Sequence, residues 1–131
     1  MSLLTEKFTK SERLCSRKAI GRLFEGGREL FHYPFRLLWN YAEDNNRSPV
    51  KVAIAVPRKK IRKAVHRNRV KRLIREAYRQ NKHIIYENHR FSGRNIDMVI
   101  IYVSGSIHNY DHINLRLVEL LKRLISADEI S

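Results

Sequence analysis

The residues best able to do chemistry in this chain are cations, and they gather in one stretch. Of the 27 Lys and Arg residues, eleven lie between positions 58 and 79: Arg58, Lys59, Lys60, Arg62, Lys63, Arg67, Arg69, Lys71, Arg72, Arg75 and Arg79. Only Glu76 opposes them, so this segment carries +10 of a formal net charge of +14. Such a cluster binds polyanions. Arginine's planar fork grips phosphate through two hydrogen bonds and can stack on a base. Asn68, set among the arginines, donates and accepts at once; that suits a base edge or a ribose hydroxyl, and it suits the capping of a helical turn equally well. A solvated helix face ordinarily mixes both signs four residues apart, because like charges there repel. Here several cations share a face with no acid beside them, a repulsion that a polyanion relieves. Nucleic acid is therefore the leading partner, with an anionic membrane surface second.

Other chemistry finds little support. The 13 acids are dispersed, and no pair has a setting suited to two catalytic magnesium ions. His108 and His112 stand four apart without a third ligand nearby and read as surface or capping groups. Cys15, the single cysteine, cannot form an internal disulfide and reads as a small buried residue. Phe31, Tyr33, Phe35 and Trp39 read as core side chains rather than a stacking platform. No catalytic residue, metal site or firmly bound cofactor is expected in the chain itself.

The elements that must position the cations follow from periodicity. Residues 1–10 lack any and are expected to form a flexible arm before a single domain over 11–131. Ser16 can cap a short helix carrying Ala19, Ile20, Leu23 and Phe24, stopped at Gly26-Gly27. Phe35, Leu37, Trp39 and Tyr41 alternate with Arg36, Leu38 and Asn40, the period of a half-buried strand. After a polar turn over 43–49, Val50, Val52, Ile54 and Val56 form a second strand, whose other face holds only Lys51, Ala53 and Ala55. The simplest pairing of these two is an antiparallel hairpin. Pro57 ends the second strand, and a helix is expected from near Lys63 to about Tyr86. Val70, Leu73, Ile74, Ala77 and Tyr78 lie on its apolar stripe, with Asn68, Arg72, Arg75 and Arg79 opposite and Lys71 at the edge. A loop over 88–95 leads to Asp97–Val103, apolar on both faces and hence a central strand. Asp111 is placed to cap a last helix. The order is α-β-β-α-β-α, with room for one more short strand.

The length of 131 residues supports one core, and 43% hydrophobic residues are too many for a disordered basic tail. No run approaches the roughly 18 apolar residues of a membrane span. Met1-Ser2-Leu3-Leu4 is followed at once by Glu6 and Lys7, which leaves no room for a signal-peptide core. The expected class is a small, cytoplasmic, basic domain.

Lys63-Ala64-Val65, Arg67-Asn68-Arg69, Lys71-Arg72 and Arg75 together resemble the signature of the protein subunit of bacterial ribonuclease P. Leu23–Arg28 resembles the end of that family's first helix, and Val52–Val56 the strand before its basic motif, so the likeness runs in order over roughly residues 10–105. It implies an α/β sandwich of α+β type, a small mixed sheet of about four strands packed with three helices. It also implies that the long basic helix crosses over between parallel strands with left-handed sense, where general experience favours the right-handed one. The function implied is binding of a large catalytic RNA and of the 5′ leader of precursor tRNA, which promotes endonucleolytic removal of the leader. Magnesium is expected on the RNA, and one protein copy with one RNA. Arg67, Asn68, Lys71, Arg72 and Arg75 match the motif; Arg58, Lys59, Lys60, Lys63, Arg69 and Arg79 join them as expected RNA contacts. The leader cleft is expected at Ile20, Phe24, Leu38, Ala53 and Ala55. Family members often carry aromatic residues where this chain has Ile20 and Leu38, and Phe24 fits a core position as well as the cleft. The segment Pro57–Arg62 is about one residue longer than the commonest form.

Overall fold

A computed structural model describes residues 8–42, 49–87 and 94–130. A 3-10 turn, Lys10–Glu12, precedes helix α1, Arg17–Gly26. Strands β1, Arg28–His32, and β2, Phe35–Tyr41, follow, then β3, Val50–Ala55. Helix α2, Ala64–Asn81, continues into a single turn, α3, His83–Tyr86; strand β4, Ile96–Tyr102, and helix α4, Tyr110–Ile130, complete the order. Most of the polar turn and of the loop expected over 88–95 lies outside the described residues.

The sheet order is β1-β2-β4-β3, with β4 antiparallel to β2 and parallel to β3. The expected hairpin between the strands at 35–41 and 50–56 is therefore wrong. β4 is buried at every position, and only insertion between two strands gives its backbone partners on both sides. The true hairpin joins β1 to β2 through Tyr33-Pro34, a cis peptide bond.

Helices α2 and α4 cover one face of the sheet. Phe35, Leu37, Trp39, Val52, Met98 and Ile100 meet Val70, Ile74 and Tyr78 of α2 and the Leu117–Leu124 stripe of α4 there. Helix α1 lies on the opposite face, where Ala19 and Leu23 pack with Leu14, Leu38, Val99 and Ile101. The result is a three-layer α/β sandwich. Ser16 caps α1 as expected, its Oγ accepting from the Ala19 N–H at 3.2 Å. Gly27 closes it: a Cβ there would stand 2.6 Å from the Leu23 carbonyl oxygen, so only glycine lets the chain turn so closely. The last helix is capped by Asn109 rather than Asp111, since Asn109 Oδ1 accepts the His112 N–H at 2.9 Å.

The helical stretch reaches Tyr86 as expected, with a single break between α2 and α3 at Lys82, whose side chain turns inward. Its ammonium, 3% exposed, donates to both oxygens of the buried Glu12 carboxylate at 3.0 and 2.9 Å. Tyr86 Oη and the N–H and Oγ1–H of Thr9 complete that carboxylate's shell. Phe8 packs edge-on against Tyr78, with ring centroids 5.6 Å apart, so residues 8–10 are tied to the body of the domain.

Three further expectations change. Phe31 and Tyr33 are more than half exposed, while Phe35 and Trp39 are buried: Phe31 stands opposite Arg36 on the edge strand β1, and Tyr33 lies in the turn to β2. Cys15 is exposed, because Leu14 takes the inward position on the short bridge to β3. His108 and His112 stack with centroids 4.4 Å apart, and burial and the neighbouring imidazole pull His108 below the usual histidine range.

Candidate nucleic-acid interface

The loop before α2 displays the first three cations because Ile61 anchors it. The N–H groups of Lys60 and Ile61 both reach the Pro57 carbonyl, and Ile61, 6% exposed, enters the core. That leaves Arg58, Lys59 and Lys60 exposed. Arg67 braces the same loop, its Nη1 donating to the carbonyl oxygens of Ile61 and Arg62. It is therefore partly a structural residue, with the rest of its guanidinium available.

The first turn of α2 holds no acid, and its N-cap Lys63 makes no side-chain cap bond. Lys63, His66 and Arg67 thus stand at the positive end of the helix dipole, an arrangement that disfavours the helix until an anion arrives. Along α2, Val70, Ile74, Ala77 and Tyr78 are buried, while Asn68, Arg69, Arg72 and Arg75 are exposed and Lys71 is half-buried. Asn68 is the fifth residue of the helix, so it is no terminal cap, and its amide faces outward. Arg79 belongs elsewhere. It pairs with Glu76 through Nε and Nη2, and that guanidinium holds the Glu76 carboxyl below its usual range. Of the expected contacts it is the one already neutralised.

Replacing Arg72 by Ala should lower the slope of log K against log salt for RNA binding by about one unit. Each phosphate neutralised contributes about −0.7 to −0.9 to that slope. Titrations at several salt concentrations read it, and an unchanged slope and affinity would return Arg72 to an idle surface role.

The cleft residues lie on the α1 face, and strand register sets their rows. Leu38, Val99 and Ala53 stand side by side, as do Arg36, Ile101 and Ala55. Leu38 is buried beneath α1, packed with Ala19 and Leu23, so it supports the cleft and is closed to a ligand. Ile20, Ala53 and Ala55 are only partly covered and leave a shallow apolar trough between α1 and β3. Phe24, one helical turn beyond Ile20, is 53% exposed and belongs to neither core cluster. The core alternative for Phe24 falls. Trough and basic helix meet along β3, the outer strand of the sheet, where Arg75 of α2 and Arg13 line one groove. Arg13 was missed in the sequence because nothing local places residue 13 beside residue 52.

Among the described residues no group of three or more His, Cys, Asp or Glu could share a metal ion, and no helix is long and apolar enough to cross a membrane.

A family model described as Ribonuclease P matches residues 8–125. The ribonuclease P protein component of Porphyromonas gingivalis is 42% identical over 77 residues, 59% of this chain and 56% of that protein, so the match spans little more than half of that relative. The Thermotoga maritima component is 30% identical over 126 residues, covering 92% of this chain and 98% of that one. Among solved structures, the Thermotoga maritima ribonuclease P protein superposes with a TM-score of 0.67 at 27% identity, covering 86% of this chain and 96% of its own. A Staphylococcus aureus ribonuclease P protein at 21% identity shares the fold, with a TM-score of 0.68.

Proposed function

The chain belongs to the ribonuclease P protein family, and from that premise we propose that it is the RNA-binding protein subunit of a ribonucleoprotein that removes 5′ leaders from precursor tRNA. The observation that carries this reading is the meeting of two surfaces along β3. An exposed row of cations on α2 suits phosphates, and an apolar trough with an exposed phenylalanine suits unstacked bases. The catalytic RNA is assigned to the loop before α2 and the cations of the first turns of α2, from Lys63 to Arg72, and the leader to the trough. Bond cleavage belongs to magnesium ions on the RNA. The protein screens phosphate repulsion and holds the precursor in register, one copy to one RNA, in the cytoplasm.

Adding the purified chain to a bacterial ribonuclease P RNA at low magnesium should restore cleavage of precursor tRNA, whereas the protein alone should cleave at no magnesium concentration. A general RNA-binding protein would bind many RNAs and restore nothing. Cleavage by RNA-free protein would sink the non-catalytic role.

A further inference from the structure

The groove at the outer edge of β3 has a composition that the cations of α2 do not explain. Arg13 and Arg75 both line it, together with the apolar Leu14, Val52 and Ala53. Among the described residues no carboxylate lines it, and neither guanidinium has an ion-pair partner. Arg13 is held in place from several sides. Its guanidinium carbon lies 5.6 Å from the centre of the Phe8 ring, and Phe8 is itself packed on Tyr78. The Leu14 N–H donates to the Val52 carbonyl at 2.9 Å, fixing the backbone on one side. Glu12, on the other side, is clamped by buried Lys82.

Two unpaired cations lining one groove with an apolar strip match one nucleotide of a single strand. A phosphate sits between two guanidinium forks, while sugar and base cover the strip. A folded RNA helix meets a protein chiefly through phosphates and hydroxyls and has no group for such a strip. Ala53 belongs both to this groove and to the trough beneath α1, so one strand can run from trough to groove without a break. We propose that the groove lined by Arg13 and Arg75 seats one phosphate unit of the precursor's single-stranded 5′ leader as it passes round the edge of β3. This rests on the reading of the chain as a leader-binding subunit and adds the segment before α1 to the site.

The chain supplies its own reporter. Cys15 is its single thiol, is exposed, and borders this groove. Protein assembled with a bacterial ribonuclease P RNA is treated with N-ethylmaleimide alone, with mature tRNA, and with a precursor tRNA made resistant to cleavage. The precursor should slow alkylation of Cys15 at least about ten-fold relative to mature tRNA. Equal rates with both tRNAs overturn the proposal, and so does full protection by the catalytic RNA alone, which would give the groove to that RNA. Arg13→Gln provides the second arm. Precursor affinity should fall about ten-fold while affinity for mature tRNA and the melting temperature hold; an equal loss for both tRNAs overturns it. Failure of the parent reading looks different, because then the wild-type chain would give the catalytic RNA no cleavage at all.

Discussion

Lys82→Ala should destabilise the fold by about 3–5 kcal/mol, because it strands a buried carboxylate without its counter-charge. Glu12 and Lys82 are 5% and 3% exposed, so water cannot replace the missing partner. At roughly 4 °C per kcal/mol for a domain of this size, the melting temperature should drop by about 12–20 °C. Replacing both residues with apolar ones of similar shape should recover much of the loss, since the cost lies in the unpaired charge. The pH dependence follows from Glu12. Burial raises its pKa, but hydrogen bonds from Tyr86, Thr9 and Lys82 outweigh this and leave it lowered. A carboxyl lowered on folding contributes stability above its unfolded value, about 4.3, and loses it as pH falls through the folded value. Acid melting of the wild type should therefore steepen below about pH 4.3, and Glu12→Gln should flatten that limb. A Lys82→Ala variant within about 1 kcal/mol of wild type would mean that the pair is hydrated and holds nothing together.

The same pair shows where the sequence stops being readable. The helical stripe from Val70 to Tyr78 was plain, because a period of 3.6 is written in neighbouring residues. The break at Lys82 and the burial of its side chain were not. A lysine reads as surface until a glutamate 70 positions away is brought to it by the fold. Strand partners were hidden for a similar reason: alternation in Phe35–Tyr41 and Val50–Ala55 gives each strand a buried face, but only the apolar excess of β4 hinted that a third strand separates them. The site divided in the same way. Arg58 to Arg75 were visible as a local run, and the structure leaves most of them exposed, yet it withdraws Arg79 to Glu76 and uses part of Arg67 to brace a loop. Arg13 and Cys15 came into view only through the bridge from Leu14 to Val52.

Phe24→Ala should separate precursor tRNA from mature tRNA without harming the fold. Spacing alone left Phe24 equally suited to the core, where truncation costs about 3–5 kcal/mol and affects both substrates alike. Its position outside the core changes that expectation. The neighbouring Leu23 carries the packing of α1, and the Phe24 ring is more than half in solvent, so removing it opens no cavity and should move the melting temperature little. An exposed ring one turn beyond Ile20, on the side of α1 that Ile20 presents, is instead free to stack on an unpaired base. Such stacking is worth about 1–3 kcal/mol, with little dependence on which base is present. Binding of the precursor by the assembled ribonucleoprotein should thus weaken roughly ten-fold or more, and mature tRNA, which has no leader, should bind nearly as before. The deficit should also persist when the leader sequence is changed, since every base offers a face to the ring. Precursor and mature affinities measured side by side, with the melting temperature, decide the matter: an unchanged ratio removes Phe24 from the site, and a ratio that shifts only for one leader sequence replaces stacking with recognition of a base edge.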